Sequence, residues 1–195
     1  MYFYNPNTKE ILTKNDLGLK YNTSISNNAT SYNEWIQLII YRKPLVCDFQ
    51  ICVENPIELD GTVYKKTYTV HYKSLDVIRS LVHKKLNEQF KYASEKAYIK
   101  SSCGFTIDAN EIANRDIDGL IKVMKAKNTT TELFRDYNNN HHEITLEQLE
   151  IMQLEVIENA QYLYKQKWNY SNEINSLTDV KTLIQLNFEF KYMDF

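Results

Sequence analysis

Glycine and proline are scarce in this chain, with four glycines and three prolines among 195 residues. The glycines Gly18, Gly61, Gly104 and Gly119 are scattered, so no glycine-rich loop is present to cradle a phosphate. Three cysteines leave one unpaired in any disulfide scheme, which excludes a disulfide-built scaffold and fits a reducing compartment. No apolar run reaches the about 20 residues that a membrane-crossing helix needs. The start, Met1-Tyr2-Phe3-Tyr4-Asn5-Pro6, lacks the basic region and apolar stretch of a signal peptide. These absences predict a cytoplasmic protein without a membrane partner. The formal net charge of -2 supplies no global pull toward nucleic acid.

What is present is ordinary for a folded domain: 43% hydrophobic and 25% charged residues, with 15 tyrosines. Such a chain can bury a core. Tyr2-Phe3-Tyr4, the turn residues Asn5-Pro6-Asn7 and Glu10-Ile11-Leu12 predict a hairpin ending near Thr13. Residues 15–33, rich in Asn and Ser, predict a long loop. Trp35 to Arg42 is an apolar run ended by Pro44. Phe49, Ile51 and Val53 share one parity and predict a strand with one buried face. Asp60-Gly61 is turn chemistry, and Thr62 to Tyr72 alternates as one strand.

Ser74 and Asp76 mark a helix start. Leu75, Ile78, Val82, Leu86, Phe90 and Ala93 then recur at three- and four-residue spacing, the stripe of a core helix. A break at 100–104 and a short strand at 105–107 follow. Asp108 with Glu111 makes a capping-box pattern ahead of a second helix through Met124, with Gly119 a point of interruption. Thr131 to Tyr137, a turn at 138–140 and Glu143-Ile144 predict a small hairpin. Thr145 with Gln148 is another capping box, opening the longest helix to about Trp168. A short helix from about Thr178 precedes a tail in which Leu186, Phe188, Phe190 and Tyr192 alternate with polar residues, a strand pattern. The expected fold class is α+β: a β-rich N-terminal region, 1–73, then a mostly helical domain, 74–195, carrying a small β-hairpin.

Candidates for chemistry are few. His141-His142 sits in a predicted turn without a third convergent ligand. Cys47 and Cys52 point to opposite faces of a strand and predict buried free thiols. Cys103 has no histidine near it in sequence. Glu147, Glu150, Glu155 and Glu158 fall mainly off the apolar stripe and predict a solvated face. Lys84-Lys85 and Lys122, Lys125 and Lys127 are the only local basic groups. No metal site, cofactor or catalytic residue is therefore expected.

Three patches carry a resemblance. Pro56-Ile57-Glu58-Leu59-Asp60-Gly61-Thr62-Val63-Tyr64, with Tyr68-Thr69-Val70 and Ser74-Leu75-Asp76, resembles a segment of small phage tail and tail-fibre-assembly proteins. Ser101 to Asn110 with Ile117-Asp118-Gly119-Leu120 is a second patch. Phe134-Arg135-Asp136-Tyr137-Asn138, Leu146-Glu147-Gln148-Leu149 and Gln166-Lys167-Trp168 make the third. These two are similar to the uncharacterised domain-of-unknown-function 4376 family of phage and prophage tail regions. The resemblance implies a non-enzymatic tail protein, an assembly factor or chaperone binding a tail fibre or other tail protein, with virion association open. A permanent tail or baseplate component and an enzyme with an unrecognised metal-dependent site are the alternatives. The residues proposed for partner contact are Tyr2, Tyr4, Trp35, Phe188 and Phe190.

Overall fold

The computed structural model describes residues 1–195, 42% in helix and 25% in strand. The protein is α+β, with strands mostly in the N-terminal half and helices dominant in the C-terminal half. The chain divides into two compact units, Met1–Ser74 and Leu75–Phe195.

The first unit opens with the expected hairpin, β1 (Tyr2–Tyr4) and β2 (Ile11–Thr13). The Asn5 side chain accepts from the amides of Asn7 and Thr8 at 2.9 and 3.3 Å, and Lys9 takes a positive φ of 60° to close the turn. Residues 15–33 are not a continuous loop. Thr13 caps a helix, α1 (Lys14–Lys20), by accepting from the Asp16 amide, and Leu17 anchors it in the core. A cap and a single buried leucine suffice to hold two turns of helix that composition hides. After β3 (Ser31–Tyr32) and β4 (Trp35–Ile40) come β5 (Gln50–Glu54), β6 (Glu58–Asp60), β7 (Val63–Lys66) and β8 (Tyr68–Tyr72).

The main sheet has the order β2-β1-β4-β7-β6, with β3 paired to β4; β5 and β8 form a separate antiparallel ribbon. Thr62 to Tyr72 is therefore two strands. β7 runs parallel to β4, whereas β8 pairs with β5. Asn55 pins the division: its amide donates to the Thr67 carbonyl at 3.0 Å, and its side chain bonds the Thr67 and Thr69 hydroxyls at 3.0 and 2.9 Å. Asp60-Gly61 makes the β6–β7 turn, with Gly61 at φ 65°. Only Phe3, Leu17, Ile25, Trp35 and Leu38 are buried hydrophobics in this unit. The face expected to be buried on β5 is open, with Ile51 43% and Val53 44% exposed, because no third element covers the ribbon.

The second unit comprises α2 (Leu75–Glu95), β9 (Tyr98–Lys100), β10 (Thr106–Asp108), α3 (Glu111–Lys127), β11 (Thr131–Arg135), β12 (His141–Thr145), α4 (Leu146–Ser176) and α5 (Val180–Gln185). α2 and α3 both pack on α4. Ile78, Val82, Leu86 and Ala93 of the α2 stripe are buried as their spacing requires. The cap of α3 is Asn110, which accepts from the Ala113 amide; Asp108 is drawn into β10. Gly119 does not interrupt α3. The Thr145–Gln148 capping box has both of its bonds. α4 continues to Ser176, past Trp168, because no Gly or Pro stops it and Ile174 is buried at its end.

The tail is not a strand. Its residues pair with no neighbour except a single bridge of Asp194 to Lys100. Side chains of α4 take the place of a strand partner. Gln166 bonds both the carbonyl and the amide of Lys191, at 2.8 and 2.9 Å; the Tyr170 hydroxyl donates to the Glu189 carbonyl at 2.8 Å; and Asn159 accepts from the Met193 amide at 3.0 Å. Extended shape follows from the alternation, but the partner does not.

Candidate partner-binding groove

α4 carries two apolar stripes. Leu149, Met152, Val156 and Leu163 are buried in the core. Ile157, Gln161, Tyr164 and Trp168 follow one another at spacings of four, three and four, which places them on one further face. Ile157, Tyr164 and Trp168 are all exposed, Tyr164 at 47% and Trp168 at 60%. Beside this face lies an open groove of about 620 Å³ between α2, the start of α3 and α4, lined by Phe90, Asn110, Val156, Ile157, Ala160 and Tyr164 among others. Gln161 and Tyr164 also line a second hollow that reaches Trp168.

Aromatic contacts hold the groove's shape. Phe90 packs on Tyr164 with ring centres 4.9 Å apart, and Tyr164 on Trp168 at 6.0 Å. The Lys167 ammonium lies 4.5 Å from the Phe90 ring centre, within cation–π reach. Asn114 adds a carbonyl oxygen that is buried without a hydrogen-bond partner. The groove thus offers aromatic faces and aliphatic walls, the features of a site for an apolar segment.

The residues expected to contact a partner are placed differently. Tyr2 is exposed on β1, and Tyr4 is half-buried against Tyr64 at 4.9 Å. Trp35 is fully buried: its indole N–H donates to the Tyr21 hydroxyl at 3.1 Å and its ring joins Phe3, Leu17 and Ile25. Phe188 is also buried, covered by Tyr170 at 5.2 Å. In the folded chain neither can present its ring to a partner. Phe190 alone adjoins the groove, packing edge-on against Phe90 at 5.6 Å. Ile157 and Tyr164 escape notice in the sequence, and Trp168 reads there only as a helix end and part of a patch, because the stronger core stripe of the same helix masks their spacing.

Several polar residues also depart from expectation. Glu155 does not face solvent. It is buried, accepting from the Ser101 hydroxyl at 2.6 Å, from the Ser102 amide at 3.0 Å and from the Ser102 hydroxyl. His141-His142 lies on β12 rather than in a turn, and His142 stacks on Phe105 with ring centres 4.0 Å apart. Cys47 is exposed, Cys52 and Cys103 are partly exposed, and all three thiols are free. No three His, Cys, Asp or Glu side chains gather into a set that can hold an ion. No helix is long and apolar enough to cross a membrane.

His142 reaches the buried Asp136 carboxylate at 2.9 Å, and the Asn140 amide and side chain donate to the same group at 2.7 and 3.1 Å. Burial pushes the Asp136 carboxyl up, but these hydrogen bonds outweigh it and hold it at about 2. A depressed carboxyl stabilises the fold above its unfolded value, and that contribution is lost as pH falls from about 4 through about 2. Thermal unfolding midpoints are expected to drop across this window, and to drop less in Asp136→Asn. Equal acid sensitivity of the two proteins would remove Asp136 from the account.

Residues 83–188, just over half of the chain, match the family described as Domain of unknown function (DUF4376). The chain belongs to this family. The matched region contains the groove from Phe90 to Trp168, the Glu155 anchor and the Asp136–His142 pair, and it ends before the clamped tail residues Glu189, Lys191 and Met193. The DUF4376 match also spans the second and third patches singled out in the sequence, and it leaves the Pro56 to Asp76 patch outside. Among curated proteins and among solved structures, none matches the chain.

Proposed function

We propose that this protein is a non-enzymatic phage or prophage tail-associated protein that holds a tail-fibre protein during assembly, with the α2–α4 groove as its contact surface. The observation that carries this reading is the outward aromatic stripe Tyr164 and Trp168 beside an open apolar groove. Exposed apolar surface of this kind, rimmed by charged residues, is a usual mark of a protein-binding site. Tyrosine and tryptophan give large contact area with few rotatable bonds, so ordering them on binding costs little. The tail setting is supported by the resemblance of the three sequence patches. A fibre chain exposes apolar strands before it assembles, and a groove that covers one such segment prevents premature edge pairing.

Co-expression with the protein of the adjacent fibre gene is expected to give a stable complex. Tyr164→Ala and Trp168→Ala are each expected to weaken it by about 1–2 kcal/mol, roughly tenfold. Both sites are exposed, so the circular dichroism of the helices should not change. Titration calorimetry on the purified pair measures the loss. The absence of a complex, or one indifferent to both substitutions, overturns the reading.

A further inference from the structure

From Ile39 to Ser74 no residue is buried, although four strands, β5 to β8, lie in this stretch. A sheet normally covers at least one face. Here aliphatic and aromatic side chains stay in solvent: Leu45 is 94% exposed, Ile51, Val53 and Tyr72 more than 40%. A two-stranded ribbon standing alone is marginal in water. The β5–β8 ribbon also has open edges, since each strand pairs only with the other.

The hydrogen-bond parity says which groups are open. Phe49 accepts from the Lys73 amide, and the Asn55 amide donates to Thr67. By alternation, Ile51 and Val53 turn their amides toward β8, while Gln50, Cys52 and Glu54 turn theirs outward; the Gln50 amide is taken by the Cys47 carbonyl at 3.0 Å, which leaves those of Cys52 and Glu54 open. We propose that the ribbon is completed by a second copy of this chain, β5 against β5, antiparallel about a twofold axis at Cys52. The outward amides of Cys52 and Glu54 then meet the carbonyls of Cys52 and Gln50 of the second copy in register. Ile51 falls opposite Val53 of the second copy, and Gln50 opposite Glu54, so no like charges face each other.

Charge favours a copy of the same chain over a strongly charged partner. Acidic and basic residues nearly balance between Ile39 and Ser74, and Lys65 and Lys66 are already paired with Asp60 and Glu54. Identical surfaces therefore meet without net repulsion, and the segment offers no field to select an acidic or basic ligand.

Sedimentation equilibrium of the full chain, up to on the order of 100 μM, is expected to show a dimer. Val53→Lys places a charge at the centre of the contact and is expected to weaken association by about tenfold or more. Val53 is exposed in the single chain, so the helical signal should be unchanged. Trp168→Ala, in the groove of the other unit, is expected to leave association as it is. A second readout does not depend on a destabilising change. In a Cys47→Ser, Cys103→Ser background, two Cys52 thiols opposite one another lie about 5.5 Å apart at Cα, within disulfide range. Diamide should take two electrons and two protons from them and leave a reducible Cys52–Cys52 dimer. A wild-type chain that stays monomeric, association unaffected by Val53→Lys, or failure of Cys52 to crosslink each overturns the proposal.

Discussion

Trp35→Ala is expected to unfold the N-terminal unit while the helical unit keeps its secondary structure. The core of the N-terminal unit is small. Phe3, Leu17, Ile25 and Trp35 form its only buried cluster, and Trp35 is the largest side chain in it. Truncating a fully buried aromatic costs about 3–5 kcal/mol, a large share of what a unit of this size can have. The loss also removes the indole donor of the Tyr21 hydroxyl, which keeps only its bond to Glu34 at 2.9 Å. Hydrogen exchange is the direct measurement. Amides of β1, β2 and β4 should lose their protection while those of α4 keep theirs. Trp35→Phe, which keeps most of the apolar volume, should fall between. Unchanged protection in Trp35→Ala would show that the cluster does not hold this unit together. The same experiment separates stability from recognition, because Trp35 was expected from the sequence to touch a partner and its burial assigns it to the core.

The second large effect is expected at Glu155. Its carboxylate is the acceptor for the β9–β10 loop, bonding Ser101 and Ser102 three times. Glu155→Ala leaves the buried Ser101 hydroxyl without that acceptor, while the amide of the exposed Ser102 can turn to water. One orphaned buried donor costs about 1–3 kcal/mol, so a loss of about 2 kcal/mol is expected. Glu155→Gln retains a carbonyl acceptor and should lose less. Denaturant unfolding at constant slope reads the difference as a shift in midpoint. A Glu155→Ala protein with the wild-type midpoint would mean that water satisfies the loop as well as the carboxylate does. This residue also shows why periodicity misleads for single side chains. Glu155 sits next to the stripe residue Val156, and only the loop folded over it converts a surface carboxylate into a buried anchor.

Local chemistry alone accounts for a good part of the fold. The first hairpin, the Asp60-Gly61 turn, the buried stripe of α2 and the Thr145–Gln148 capping box each depend on residues within a turn or two of one another. Such features need only φ/ψ preferences, a nearby cap and a repeating apolar face. Of the proposed groove, the sequence marked Phe90 as a core position and Phe190 as a contact, gave Trp168 no contact role and missed Tyr164. Two apolar faces on one helix cannot be ranked until the elements that cover one of them are known.

The tertiary structure decided the rest. Thr62 to Tyr72 has one alternating pattern, yet Asn55 divides it between two sheets. Leu186 to Tyr192 has the alternation of a strand, yet its backbone bonds go to Gln166, Tyr170 and other side chains of a helix. Residue order alone set where the chain bends, coils or extends, because those choices are made among neighbours. Which surface each extended piece meets, and so which rings are buried and which remain open to a partner, depends on groups up to about 100 positions away, such as Tyr192 on Ala93. No short-range pattern encodes contacts of that separation, since they are selected by the free energy of the whole packed unit.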